Sequence, residues 1–317
     1  MFKKEIEVKS PRSAYGSALV DLGHENKNVV ALDADLSFST QTCKFAAEFP
    51  ERFFNVGISE QDLMGTAAGL AREGKIVFAS TFAIFGTGRC LDQIRNAICY
   101  QNLNVKIVAT HGGLTVGEDG ASHQALEDVT IMRAIPNMTV IVPSDSTEVY
   151  QAVKYAAKVE GPVYIRVPRT NLKTIFDENE YVFNPKKAIK IKDGDNLTVI
   201  TNGETLGELI GASELLEKDG IKIEIIHMPV MKPFFDYETI INSAAKTKKV
   251  ITVENHSIIG GLGSEICEIL SDKLPTQVIR LGVNDVFGQS GEQSVLMDYY
   301  KLNKTKLYEE IKKISGK

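Results

Sequence analysis

Short runs of aliphatic and β-branched residues recur along the chain, separated by stretches whose apolar positions fall three or four apart. Residues 29–32, 76–79, 105–109, 138–142 and 163–167 read as strands, each too short for a helix. Residues 60–72 read as a helix, with Leu63, Ala67 and Leu70 on one stripe. Ser59 stands as its N-cap with Asp62 three residues on, and Gly74 closes it. Further helices are predicted near residues 87–100, 126–135 and 147–159. Polarity rises over residues 171–192, and a second alternation follows. Its strands are read at 197–201, 221–226, 249–253 and 277–281, and its helices near 205–218, 237–245, 262–271 and 306–314. This rhythm predicts an α/β protein of two domains, each a mostly parallel sheet flanked by helices. Residues 1–175 would form the first, 176–192 a linker, and 193–317 the second.

Ligands of such sheets bind beyond the carboxyl ends of the strands. Asp35, Glu60, Phe82, His111 and Arg169 each follow a strand within a few residues, which points to a shared site. The composition narrows the partners. With 317 residues, 43% hydrophobic and 24% charged, the chain can bury two ordinary cores. A net charge of −5 leaves no broad basic surface, so neither nucleic acid nor a membrane is an expected partner. No apolar run is long enough to span a bilayer, and the start of the chain does not read as a signal peptide. Four scattered cysteines without metal-ligand spacing read as reduced thiols, and the expected location is cytoplasmic.

The candidate chemistry lies in the first half. A glutamate in the first turn of a helix is ordinarily a surface residue favoured by the dipole, and Glu60 alone would be read so. Phe82 and Phe85, three apart, suit either core packing or a stacking slot for a flat ring. The loop from Thr110 to Gln124, THGGLTVGEDGASHQ, has glycines that permit tight turns, and it carries His111, Asp119 and His123. Asp119 and His123 are four apart, as a helix-surface pair would be, but no second histidine lies at metal-site spacing. Arg12, Ser39 and Arg169, taken at strand ends, would clamp a terminal phosphate, with Arg166 as a rival; each alone is more often a surface ion pair. His24, His227 and His256 carry no motif and read as structural or exposed. Residues Gly260 to Ser264, GGLGS, read as a glycine turn entering a helix rather than an anion cradle.

Gly57-Ile58-Ser59-Glu60-Gln61, the two phenylalanines and the Thr110–Gln124 loop together resemble transketolases, in the half that grips the pyrimidine ring of thiamine diphosphate. The resemblance runs from about Arg12 to the C-terminus, close in the first domain and mainly organisational in the second. It implies that Glu60 hydrogen-bonds a pyrimidine nitrogen and activates the cofactor, a task suited to a desolvated carboxyl with a raised pKa. It implies that Phe82 and Phe85 stack on that ring and that Asp35 lies near the cofactor. A third aromatic is replaced by Gly88, so the far wall falls to Ile84, Arg89 or a partner. His111 would contact the sugar phosphate or the carbonyl, Asp119 would read a neighbouring hydroxyl, and His123 would move protons. Arg12, Ser39 and Arg169 would bind the substrate phosphate.

The Gly-Asp-Gly motif that holds the diphosphate through Mg2+ is missing; Lys192-Asp193-Gly194-Asp195-Asn196 is only a turn. The implied arrangement is therefore the C-terminal subunit of a split transketolase. An N-terminal subunit would carry the metal site, and the assembly would be a heterotetramer. The β subunit of a 2-oxoacid dehydrogenase E1 component and deoxyxylulose-phosphate synthase share the architecture, and a non-catalytic binding subunit is the alternative of another class.

Overall fold

A computed structural model describes residues 1–3 and 7–316. The first segment contains β1 (Val8–Lys9), α1 (Pro11–Glu25), β2 (Val29–Asp33), α2 (Ser37–Thr40), α3 (Cys43–Glu48), β3 (Phe53–Asn55), α4 (Glu60–Arg72) and β4 (Ile76–Phe82). It continues through β5 (Val105–Thr110), α5 (Asp128–Ala134), β6 (Thr139–Ile141), α6 (Ser146–Ala156), β7 (Val163–Val167) and β8 (Leu172–Lys173). The second contains β9 (Ile189–Lys192), β10 (Leu197–Thr201), α7 (Thr205–Lys218), β11 (Ile223–His227), β12 (Val230–Lys232) and α8 (Tyr237–Thr247). After these come β13 (Val250–Ser257), α9 (Leu262–Lys273), β14 (Val278–Val283), α10 (Gln293–Tyr299) and α11 (Lys304–Ser315).

The first sheet has the order β12-β6-β7-β5-β4-β2-β3 and the second β14-β13-β10-β11-β9. Within each sheet all neighbours are parallel except the edge strands β12 and β9. Central strands such as β2, β5 and β7 are buried throughout, which is why they read as unbroken aliphatic runs. The predicted α/β architecture of mostly parallel sheets is what forms.

Several local expectations are corrected. Helix α4 begins and ends at the predicted residues, but Ser59 makes no side-chain capping bond. The helix predicted near 87–100 is instead two wide π-type turns, Phe85–Arg89 and Gln93–Cys99, where Gly86 and Gly88 weaken a regular α-turn. Helix α1 escapes the periodicity reading because its positions are rich in Ser, Gly and Ala. The glycine turn does enter a helix, α9, and a buried carboxyl of the chain itself sits at its start. Leu262 and Gly263 donate their N–H groups to the Glu254 carboxylate at 2.7 and 2.8 Å.

Residues 176–192 are not a loose tether. Phe176, Tyr181 and Phe183 are buried, and residues 189–192 join the second sheet as an edge strand. The second segment also returns to the first, since Val230 and Lys232 of β12 pair with Ile141 and Val140 of β6. Between the two halves lies a buried polar junction. Glu148, at the start of α6, accepts from Tyr181 Oη at 2.6 Å and from Ser144 N at 2.7 Å. Its Oε2 also meets His227 Nε2, at the end of β11, at 2.7 Å. Burial opposes the charge on Glu148, but the facing His227 outweighs it and holds the carboxyl below its ordinary range. Three parts of the chain thus share one carboxylate. Tyr181→Phe should lower stability by about 1–3 kcal/mol, because it strips a donor from a buried acid. Urea unfolding checks this, and an unchanged midpoint would show that the connector is not part of the junction.

Candidate functional site

The parallel register of β4 and β5 sets Phe82 opposite Thr110 at the carboxyl ends of adjacent central strands. His111 follows immediately, with φ at 61°, and that turn directs its ring onto Phe82. The two ring centroids lie 3.7 Å apart at 24°. Phe85, one turn beyond the strand, lies 5.7 Å from Phe82 at 17°. His123 meets Phe85 edge-on at 5.2 Å and Phe82 at 6.4 Å. Both phenylalanines and both histidines of the loop therefore gather in one cluster.

Glu60 is the first residue of α4, and only 5% of it is exposed. Its Oε2 accepts from Arg89 Nη1 at 3.0 Å, while among the described residues no hydrogen bond reaches its other oxygen. Arg89 lies over the Phe85 ring at 4.2 Å, and its carbonyl accepts from Gln61 Nε2 at 3.0 Å. The burial anticipated for Glu60 is present, but the carboxyl is not isolated. A guanidinium satisfies one oxygen and covers the Phe85 ring. The pairing of Arg89 with Glu60 has no signal in local spacing, because the two are 29 residues apart.

The histidine loop is closed at its base by a bridge between Gly112 and Ala125, with Gly113 N donating to Ala125 O at 2.9 Å. His111 is 3% exposed, and its Nδ1 is 2.8 Å from Thr110 Oγ1. Burial first, and then the charges of Arg12 and Arg169, push its pKa down to about 3. It is therefore a neutral imidazole that can donate or accept a hydrogen bond. His123 is partly exposed, with Nδ1 3.0 Å from Ser122 Oγ. Asp119 and His123 do not share an α-helix: residues 114–119 form 3-10 turns, and the chain bends at Gly120.

Arg12 and Ser39 are not at strand ends. Arg12 sits in the first turn of α1, capped by Ser10, and Ser39 lies in α2. They nonetheless converge with Arg169, which follows β7. Arg12 donates to Arg169 O at 3.0 Å and to Ser39 O at 2.7 Å. Arg169 Nη1 donates to Val116 O and lies 3.6 and 3.7 Å from Glu118 and Asp119 carboxylates. Burial, and then the nearby Arg169 charge, lower the Arg12 pKa. The two arginines line an open cavity of about 630 Å3. The rival Arg166 is excluded by its surroundings: it is 4% exposed and is bound to Asp128 at 2.9 Å and Ala125 O at 3.0 Å.

Asp35 is less engaged. It is exposed, with φ at 65°, and its contacts are with Asn55 at 3.1 and 3.3 Å rather than with the rings. The buried acid of that strand end is Asp33, which accepts from Leu36 N, Thr40 Oγ1 and Thr42 Oγ1 at 2.6, 2.7 and 2.9 Å and so shapes the turn that carries Ser39. Among the described residues no helix is long and apolar enough to cross a membrane.

This geometry meets consistent relatives. The family described as transketolase, pyrimidine binding domain, matches residues 8–174, and the transketolase C-terminal domain matches residues 186–307. A Methanocaldococcus jannaschii protein named for a transketolase C-terminal section is 50% identical, over 99% of this chain and 100% of its own. Human transketolase is 37% identical over 95% of this chain, which spans only 48% of that protein. A solved structure titled split gene transketolase, inactive beta4 tetramer, superimposes with a TM-score of 0.89 at 48% identity, covering 96% of this chain and 98% of that one. Fold, loop and relatives agree, and the chain belongs to the transketolase family as its pyrimidine-binding and C-terminal domains.

Proposed function

We propose that this chain is the C-terminal subunit of a two-chain transketolase that moves a two-carbon ketol group between sugar phosphates. An N-terminal subunit would hold Mg2+ and the diphosphate of thiamine diphosphate, and the working assembly would be a heterotetramer in the cytoplasm. The observation that carries the reading is the meeting of a buried Glu60, two near-parallel rings and two loop histidines at the end of one sheet. A relative named for a transketolase C-terminal section, matched over its whole length, supports a separate companion chain.

The residues present fit the pyrimidine end of the cofactor. Phe85 is partly exposed, and Glu60 keeps an oxygen free of protein hydrogen bonds among the described residues. When bound, thiamine diphosphate would supply the carbanion and the electron sink for carbon–carbon cleavage and formation. Glu60 would hold a pyrimidine nitrogen, and Arg89 would keep the carboxylate in place. Arg12 and Arg169 would take the terminal phosphate, with Ser39 at the rim of that subsite. Asp119 would orient a substrate hydroxyl. His111, as a neutral imidazole, would donate to or accept from the carbonyl end without carrying charge. His123, the more exposed of the two, would exchange protons with substrate oxygens.

The similar structure's title describes an inactive beta4 tetramer, which favours an inert homotetramer for this chain alone. Size-exclusion chromatography with light scattering, followed by assays with xylulose 5-phosphate and ribose 5-phosphate, should show no turnover until an N-terminal subunit, Mg2+ and thiamine diphosphate are added. Turnover of pyruvate with glyceraldehyde 3-phosphate instead would point to a deoxyxylulose-phosphate synthase. Glu60→Ala should cut the transketolase rate by about a hundredfold or more while leaving subunit association intact. A Glu60→Ala enzyme of ordinary rate would leave the binding-subunit alternative standing. Proton NMR of His111 should show a ring that stays neutral down to about pH 4, since its folded pKa is about 3 against an ordinary 6.5. Because the unfolded chain takes up that proton first, this site should destabilise the fold as pH falls below about 6.5. A His111 titration near 6.5 would refute the neutral-imidazole role.

A further inference from the structure

We infer that the second domain acts in the reaction by positioning the histidine loop, with Asn255 as the positioning residue and Glu204 as its support. The inference rests on the transketolase reading above and assigns to the C-terminal domain a task at the site itself.

The loop leaves β5 through His111, Gly112 and Gly113, and its backbone there is pressed between the two domains. A Cβ on Gly112 would come within 2.5 Å of Arg166 Nε, in the first domain, and one on Gly113 within 2.5 Å of Asn255 Nδ2, in the second. Gly113 also has φ at 75°, so a side chain is disfavoured there twice over. Asn255, in β13, is 3% exposed. Its Oδ1 accepts from Leu114 N at 3.0 Å, and its Nδ2 donates to Glu204 Oε1. The same Glu204 oxygen accepts from Thr115 Oγ1 at 3.2 Å. One amide and one carboxylate of the second domain thus hold two consecutive residues of the loop, three and four places beyond His111.

The far side of the loop is held as well. Gln124 Nε2 donates to Gln289 O at 3.0 Å, and Ser290 Oγ donates to Glu118 O at 2.6 Å. The Asn255 position needs an acceptor toward Leu114 and a donor toward Glu204 at once. Aspartate would set two carboxylates together, and an aliphatic residue would leave buried polar groups unpaired. Since the His111 ring lies on Phe82, a small displacement of the loop changes where its free nitrogen points. A shift of about 1 Å at a reacting group can cost about a hundredfold in rate.

The test is Asn255→Ala, with Thr115→Val as a second variant that keeps volume and removes the hydroxyl that meets Glu204 and, within the loop, Gly112 O at 3.3 Å. In the isolated chain, hydrogen exchange should quicken across residues 111–118 while β4 and β5 keep wild-type protection. In the reconstituted complex, kcat for ketol transfer should fall about ten- to a hundredfold, with thiamine diphosphate affinity changed less than about twofold. Wild-type exchange in the loop, or wild-type kcat, in the folded variants would overturn the inference. If Asn255→Ala does not fold, Thr115→Val decides, with the same direction and a smaller change. If the wild-type complex turns over no sugar phosphate, the transketolase reading fails, while the exchange experiment still decides whether the second domain holds the loop.

Discussion

The parallel pairing of β4 with β5 is the constraint on which the site depends. It ends two central strands at the same height, Phe82 on one and Thr110 on the other, and the paired rings and the histidine loop are hung from those ends. The aromatic slot continues from the first strand into π-type turns, and the histidine loop continues from the second. A slip of register would separate the Phe82 ring from His111 and dissolve the cluster. Sheet closure also requires flanking strands β2 and β7 in register, and these bring Asp33 with its turn on one side and Arg169 on the other. The core therefore fixes the site geometry, and the loops add chemistry to it.

The electrostatics of the site follow from where water is excluded. Glu60 and Arg89 meet as opposite charges, with the acid buried and the arginine half-exposed. Arg12 and Arg169 are like charges held close by carbonyl acceptors, with the Glu118 and Asp119 carboxylates beside Arg169 at 3.6 and 3.7 Å. His111 sits between these cations and the rings, and its burial keeps it neutral. The same rules explain the charges that are not functional. Arg166 is consumed by Asp128, and Glu254 by the N-terminus of α9.

Much of this was legible in the sequence because it is local. Helix α4 was readable to the residue from its stripe and from Gly74, which takes a left-handed φ of 81°. The histidine loop was readable because its glycines and polar groups are contiguous. What escaped depends on contacts between distant residues. Arg89 reaches Glu60 across 29 positions, and Asn255 reaches Leu114 across 141. Strands β3 and β12 are short, and their pairing is decided by neighbours rather than by their own pattern. The packing of the connector was not legible because polar residues outnumber the three buried rings that decide it.

The central claim is that Glu60 and the paired phenylalanines grip the pyrimidine end of a cofactor whose charged tail is held by another chain. The most direct measurement is a crystal structure of this chain with its N-terminal subunit, Mg2+ and thiamine diphosphate. The account predicts the aminopyrimidine against Phe85, with a ring nitrogen within hydrogen-bond distance, about 2.6–3.2 Å, of the Glu60 carboxylate. A cofactor bound elsewhere, or a Glu60 that still faces only Arg89 in the loaded complex, would contradict it.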